Sequence, residues 1–544
     1  MTTLDPLADL RETLADALPG NEDPAEVDPQ GGDERTADSP AALQSRIRGE
    51  IVGWLMDKEA TATEKHREIS CLVVAALAEL GAFYFHAERR DFDSAMFFNR
   101  DTKRLERVRS DAFVAWLSDW LHVNRADTCF RFVLSAVETA ALHGKLTRPV
   151  IPEAFWCGRP GAVYLSNGDG SIAKITANGV EPCDNGTDGV LFPAGRTLAP
   201  WKHVEIARDP FETCALFRDA QFADPHGLDL VRLWMLSLPT APRSKPPVTF
   251  SGTVGSGKTR ILKGACELLG LPFVAQKVED DGEDDFWPTI DGGGLFVLDN
   301  ADTKCRWLAD ALANAATDGS SQRRKLYTNN ETVTCRARSW LAITTANPTF
   351  ASDAGLADRL LVVRMDRRSG ETSDSALTDE ILANRDAGMT YIAWVLSSAL
   401  GDTDPVPSGL NRRHPDFASF AVRIGRAIGR EAQAVEALRA AEADKSAFCL
   451  ENDPVGAALL SVLADGAGFH GTAAELRDRL VAADQELEDR LSVKRLGKRL
   501  AALWPHIEAA FGAASREVNR KGITVFAIGE PASAGFAGFQ TVIP

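Results

Sequence analysis

The spacing of apolar positions changes along the chain, and each change suggests a boundary. Over residues 42–149, Ile51, Trp54 and Leu55, then Cys71, Val74, Ala75, Leu77 and Leu80, recur at the three- and four-residue intervals of amphipathic helices. Within that stretch Phe83-Tyr84-Phe85 and Met96-Phe97-Phe98 read as two short strands. Phe113, Trp116, Leu117, Trp120 and Leu121 then form one apolar stripe, which reads as core rather than as a platform for stacking bases. Residues 150–204 switch to strand character. The runs 162–166 and 171–176 flank Asn167-Gly168-Asp169-Gly170, a hairpin signal, and Asn185-Gly186-Thr187-Asp188-Gly189 makes a further turn. Residues 205–370 mix helical patterns with continuous apolar runs, as expected of parallel strands covered on both faces. Helical spacing returns over residues 371–450, with Ile392, Val395, Leu396 and Leu400 on one face. Residues 451–544 give helix, helix, helix and hairpin, punctuated by Gly471 and Gly522. The expectation is a multidomain α/β chain without internal repeats: a helical N-terminal domain, a small β subdomain, a core built on a parallel sheet, a helical lid and a C-terminal domain.

Composition narrows this picture in only a few ways. At 544 residues the chain exceeds what one core organises. No run of about 18 apolar residues suggests a membrane span, and residues 1–20 lack the layout of a signal peptide. The nine cysteines include no C-x-x-C pair, so neither a zinc site nor a disulfide framework is expected and a cytoplasmic location is. The net charge is −17, but residues 1–41 hold eleven acids against two arginines and read as a disordered acidic tail. The other 503 residues carry only −8, so bulk charge does not exclude a nucleic-acid partner bound through local basic patches.

The candidate chemistry begins at Gly252-Thr253-Val254-Gly255-Ser256-Gly257-Lys258-Thr259, which fits G-x-x-x-x-G-K-[ST] between a strand-like run at 248–251 and a helical pattern at 260–269. In that context the backbone N–H groups curl around a phosphate chain and the helix N-terminus adds partial positive charge. Lys258 reaches the β/γ-phosphates of ATP and the Thr259 hydroxyl ligates Mg²⁺. The plainer alternative is a glycine-rich turn capping a helix. Asp299 ends the apolar run 295–298, 41 residues after Lys258, where an acid would hold the Mg²⁺ water shell. The run 340–345 reads as the next central strand, and Asn347 at its carboxyl end is placed to orient water or touch the γ-phosphate; the alternative is an Asn-Pro turn.

Residues 319–338 read as a hairpin with Arg323, Arg324 and Lys325 on one arm and Arg336 and Arg338 on the other. These five cations suit DNA phosphates or simple solvation. Arg359 precedes another strand, 12 residues past Asn347, where a guanidinium could cross a subunit boundary to a neighbour's γ-phosphate or pair with Asp358 or Asp366. Near the C-terminus, Lys494, Arg495, Lys498 and Arg499 form i, i+4 pairs along a helix whose Val493, Leu496, Leu500 and Leu503 would face a core. A further helix and a hairpin at 516–526 follow, with Arg516, Arg520 and Lys521 near its tip. This order resembles a winged helix with a recognition helix and a basic wing, although solvated charge is the plainer reading.

The phosphate loop 252–259, Leu298-Asp299-Asn300, the basic hairpin 322–338, Asn347 and Asp358-Arg359-Leu360 together resemble the AAA+ ATPases, in particular the superfamily 3 helicase-type ATPases of bacteriophages and mobile elements. The resemblance covers residues 205–370 and extends more loosely to either side. It implies a homo-oligomeric, hexameric ring that hydrolyses ATP between subunits, with Lys258, Asp299, Asn347 and Arg359 at the reaction, and translocates on single-stranded or forked DNA. Asn300 departs from it, standing where many AAA+ proteins carry a glutamate, and an amide is no general base. Asp299, Asp302 or a water network would then activate water, or turnover is slow. No primase-like constellation precedes the core, so a separate primase or initiator is the expected partner.

Overall fold

The computed structural model describes residues 39–88, 91–194, 198–240, 242, 244–324, 332–368, 370, 372–464, 466, 468–511, 514–518 and 524–529. The expected acidic tail up to residue 38, together with Lys325, Arg520, Lys521 and Gly522, lies outside them. The chain forms two compact units. One takes residues up to Cys157 with Tyr164–Lys174 and Glu181–Pro200; the other takes Gly158–Val163, Ile175–Val180 and residues from Trp201 onward.

In the first unit, helices α1 (Pro40–Met56) and α2 (Ala62–Leu80) precede strands β1 (Gly81–His86), β2 (Ala95–Asn99) and β3 (Arg104–Arg107). Helices α3 (Asp111–Leu121) and α4 (Thr128–His143) and strand β4 (Arg148–Val150) follow. Thr61 and Glu64 start α2 with reciprocal side-chain to backbone bonds, so two orphan donors of its first turn are satisfied. The sheet order is β3-β2-β1-β4, with Phe83 opposite Phe97. The aromatic stripe turns inward, as expected: Phe113 and Trp120 are buried, and Phe97 lies 5.8 Å from Phe113 and 6.1 Å from Trp116 between ring centroids. Strands β5 (Trp156–Arg159), β6 (Ala162–Ser166), β7 (Ser171–Thr176) and β8 (Gly179–Asp184) make a sheet in sequence order.

The second unit continues with α5 (Pro210–Thr213), α6 (Ala215–Arg218) and α7 (Gly227–Ser237), then alternates strand and helix. Strand β9 (Val248–Ser251), helix α8 (Lys258–Leu269), β10 (Val274–Lys277), α9 (Glu283–Ile290), β11 (Leu295–Asp299) and α10 (Leu308–Ala315) follow one another. After the hairpin β12 (Ser320–Arg324) and β13 (Thr332–Arg336) come β14 (Trp340–Thr345), α11 (Ala354–Ala357) and β15 (Leu361–Arg364). Five strands form a parallel sheet in the order β10-β11-β14-β9-β15. The chain leaves β9 on one side and returns on the other, which makes the carboxyl end of β9 the switch point where open α/β sheets bind ligands. Every residue of β14 is buried, the signature of a strand covered on both faces.

The helical stretch expected over residues 371–450 is three helices: α12 (Asp374–Gly401), α13 (Pro415–Ala427) and α14 (Glu431–Glu451). Pro405, Pro407 and Gly409 lie between the first two and cannot continue a helix. The C-terminal region is α15 (Pro454–Val462), β16 (Phe469–Thr472), α16 (Ala473–Ala483), α17 (Val493–Phe511), β17 (Ala514–Val518) and β18 (Thr524–Ile528). Its antiparallel sheet has the order β16-β18-β17. Two expectations fail here. The helix expected after Leu500 is instead a continuation of α17, which runs through Pro505 with Leu496, Leu500, Leu503 and Ile507 on one buried face. Val493 is 43% exposed because it is the first residue of α17, a turn short of that face.

Phe250 of β9 is fully buried, its ring 6.0 Å from Trp234 of α7. Phe250→Ala is expected to destabilise this unit by about 3–5 kcal/mol in urea unfolding, the cost of removing a phenyl ring from a core that cannot fully close.

Candidate functional site

The loop after β9 is shaped by its glycines. Gly255 and Gly257 sit at φ 84° and 87°, in the left-handed region that side chains avoid, and a Cβ at either would enter open space. Gly252 is constrained differently: a Cβ there would meet the Met365 carbonyl oxygen at 2.2 Å. No side chain caps the N-terminus of α8, which opens on the concave side of the loop with Gly257 as N-cap. Lys258 is 7% exposed, and its ammonium donates to the Gly252 carbonyl (2.7 Å), the Thr253 carbonyl (2.9 Å) and Ser256 Oγ (3.3 Å). Burial lowers its pKa, against the opposing pull of Asp302 and Asp299.

Asp299 ends β11 beside this loop. Its Oδ1 accepts from the hydroxyls of Thr259 (2.6 Å) and Thr344 (2.8 Å). Thr344 Oγ1 in turn accepts from the Asn300 N–H at 2.9 Å, and Asn300 takes φ 54°, a left-handed conformation that asparagine tolerates. A hydroxyl and a carboxylate are hard oxygen donors, so Thr259 and Asp299 fit Mg²⁺, which takes few protein ligands and completes its shell with phosphates and water. Among the described residues no cluster of three His, Cys, Asp or Glu side chains is arranged for a metal by itself.

Asp302 has a larger part than its mention as one possible water activator suggests. One oxygen, Oδ1, accepts from Thr345 Oγ1 (2.7 Å), the Ala346 N–H (2.7 Å) and the Asn347 N–H (2.8 Å). Burial works to raise its pKa, but those bonds and the Lys258 charge prevail and hold it below 3.8. The exposed Asn347 therefore stands on a loop pinned by an ionised carboxylate next to the lysine.

Arg359 follows α11. Its Nη1 donates to the Gly355 carbonyl, while its own carbonyl receives His414 Nε2 at 3.1 Å. The ion pair allowed for between Arg359 and Asp358 goes elsewhere: Asp358 is held by Arg413. His414 is fully buried, and Ser244 Oγ lies 2.8 Å from its Nδ1. A carbonyl only accepts, so Nε2 carries a proton. Burial, then Lys445, lowers the His414 pKa to about 4.

The basic surfaces are less open than their sequence suggests. Arg323 is held by Glu283 at 2.8 Å and by Asp284, and Arg338 by Asp291 at 3.1 Å. Arg336 is exposed and its backbone N–H donates to Asp291. Arg324 lies in β12, its side chain outside the description, as is all of Lys325. On α17, Lys494, Arg495 and Lys498 are exposed, but Arg499 turns inward. Its Nε donates to Asp453 at 2.7 Å and its Nη2 to the Ser352 carbonyl at 2.6 Å, so it leaves the outward ridge expected of it.

Sequence reasoning missed His414, Asp453 and Thr344. Asp453 has a readable signal, since Asp-Pro marks a helix start and its carboxylate caps the Val455 and Gly456 N–H groups. His414 carries none, because its partners lie 55 and 170 residues away.

No family model and no curated protein matches the chain. Among solved structures it is similar to the apo structure of the NrS-1 C-terminal region, at 12% identity and a TM-score of 0.30, over 69% of this chain and 95% of that one. Two further apo structures of the same region, in the A form, match at 11% identity with the same TM-score, over 69% of this chain and 96% of theirs. Likeness at this level leaves the reading to the geometry of the site. Among the described residues no helix is long and apolar enough to cross a membrane.

Because the folded-state pKa of His414 lies below the ordinary 6.5, the unfolded chain takes up a proton that the folded chain refuses between pH 6.5 and 4. Stability is therefore expected to fall through that window as pH drops, by at most about 3 kcal/mol from this residue. His414→Gln should shrink the difference between urea unfolding at pH 7 and at pH 4.5.

Proposed function

We propose that this chain is a DNA-dependent ATPase of AAA+ type, similar to the superfamily 3 helicases of phages and mobile elements, working as a hexameric ring that unwinds DNA. The observation that carries the reading is the meeting of Lys258, Thr259, Asp299 and the Asp302-pinned Asn347 at the carboxyl ends of β9, β11 and β14. In this reading, residues 252–259 cradle the phosphates of ATP, whose oxygens take the place of the loop carbonyls now bound to Lys258. Mg²⁺, held by the Thr259 hydroxyl with Asp299 beside it, would neutralise phosphate charge when bound. Asn347 offers its amide to the γ-phosphate or to the attacking water. Arg359 acts on the site of the adjoining subunit. Lys494, Arg495 and Lys498, with Arg336 on the hairpin, meet DNA phosphates, and a separate polypeptide supplies the primer.

A second reading is a DNA-bound ATPase switch in transposition, regulation or defence that does not unwind. Asn300 favours it, since an amide at that position suits slow turnover better than a motor. Strand displacement on a forked duplex separates the two: ATP-dependent release of the displaced strand supports the motor, and ATP turnover with no release supports the switch.

Lys258→Ala is expected to abolish ATP turnover. Arg359→Ala should lower kcat by about 10³-fold or more while nucleotide affinity is kept; normal hydrolysis by the assembled Arg359→Ala protein would remove the inter-subunit role.

Replacing Lys494, Arg495 and Lys498 together with Ala should weaken DNA binding and lower its salt slope by about 0.9 per lost phosphate contact. An unchanged slope would show these cations to be solvated surface only.

A further inference from the structure

The segment from Asn347 to Arg359 carries both groups assigned above to the γ-phosphate, and α17 packs on its middle. Ala357 shares a buried apolar cluster with Leu496, Leu500 and Leu503, and Ala354 lies against that cluster. Five residues after Asn347, the Ser352 carbonyl accepts from Arg499 Nη2 at 2.6 Å. Arg499 is itself fixed, because its Nε donates to Asp453, a carboxylate only 3% exposed that also receives the N–H groups of Val455 and Gly456 at 3.0 Å each. The planar guanidinium thus spans two acceptors at set angles, which an ammonium does not reproduce. The same helix shows solvent the cations Lys494, Arg495 and Lys498.

We propose that Arg499 is a positioning residue for hydrolysis: by holding the Ser352 carbonyl against Asp453, it sets the Asn347–Arg359 segment in its active placement and links that placement to the helix bearing the basic ridge. This rests on the roles given above to Asn347 and Arg359. The donors of Arg499 are already committed to Asp453 and the Ser352 carbonyl, which is why it does not serve as a DNA contact. A shift of about 1 Å in a positioning group costs on the order of 10²-fold in rate, so loosening this grip should be read in kcat.

The test uses the full chain with Arg499→Met and Arg499→Lys, measuring kcat and KM for ATP with saturating DNA, and DNA affinity across a salt series. Both variants are expected to lose about tenfold or more in kcat, with KM within about twofold and the salt slope of DNA binding unchanged. Arg499→Lys keeps a charge beside Asp453 and so remains informative where Arg499→Met fails to fold. Should kcat stay within about twofold in the folded variant, or the salt slope fall by about 1, the proposal is overturned, the second result making Arg499 a DNA-phosphate contact. Failure of the underlying reading shows separately, as turnover that survives Lys258→Ala and Arg359→Ala.

Discussion

One carboxylate oxygen holds the candidate site together. Asp299 Oδ1 receives a hydroxyl from the first turn of α8 and another from the end of β14, so the phosphate loop, β11 and β14 meet at a single acceptor. Parallel strands alone leave the height of their carboxyl ends to the loops that follow. Here the register already sets Thr345 level with Ser251, and the shared oxygen carries that alignment across to β11. Asp302 repeats the device one turn later, gathering a hydroxyl and two backbone N–H groups on its own Oδ1. Charge-assisted bonds of this kind are about twice as strong as neutral ones. Asp302 thereby fixes Ala346 and Asn347, which lie exposed just past the end of β14.

What the sequence discloses follows from how far apart the interacting residues lie. The phosphate loop is legible because its demands are local: glycine at left-handed backbone, lysine and threonine on the next turn. The apolar run before Asp299 and the hairpin about Gly168 and Gly170 are legible for the same reason. The partners of the arginines are not. Arg323 is claimed by acids 39 and 40 residues back, and Arg499 by a carboxylate 46 residues back and a carbonyl 147 back. A helical wheel places Arg499 beside Arg495, yet tertiary packing turns it inward. Charge read from spacing therefore overstates the basic surface.

The same pairing takes up many of the cations of this acidic chain. Arg364 of β15 is bound by Asp444 and Glu451 of α14, whose charges and hydrogen bonds raise its pKa despite burial. Arg426 is shared between Asp402 and Glu431, and Arg430 is paired with Asp229. These contacts tie α13 and α14 back to the preceding helices. Against this background Lys494, Arg495 and Lys498 of α17 stand exposed.

The left-handed backbone at Asn300 bears on which side chains that position accepts. A glutamate there would have to adopt φ 54°, which costs a side chain without asparagine's local hydrogen bonding about 1–2 kcal/mol, or else release the Thr344 hydroxyl that fixes the N–H. Placing a glutamate at this position would therefore disturb the main chain as well as change the side chain.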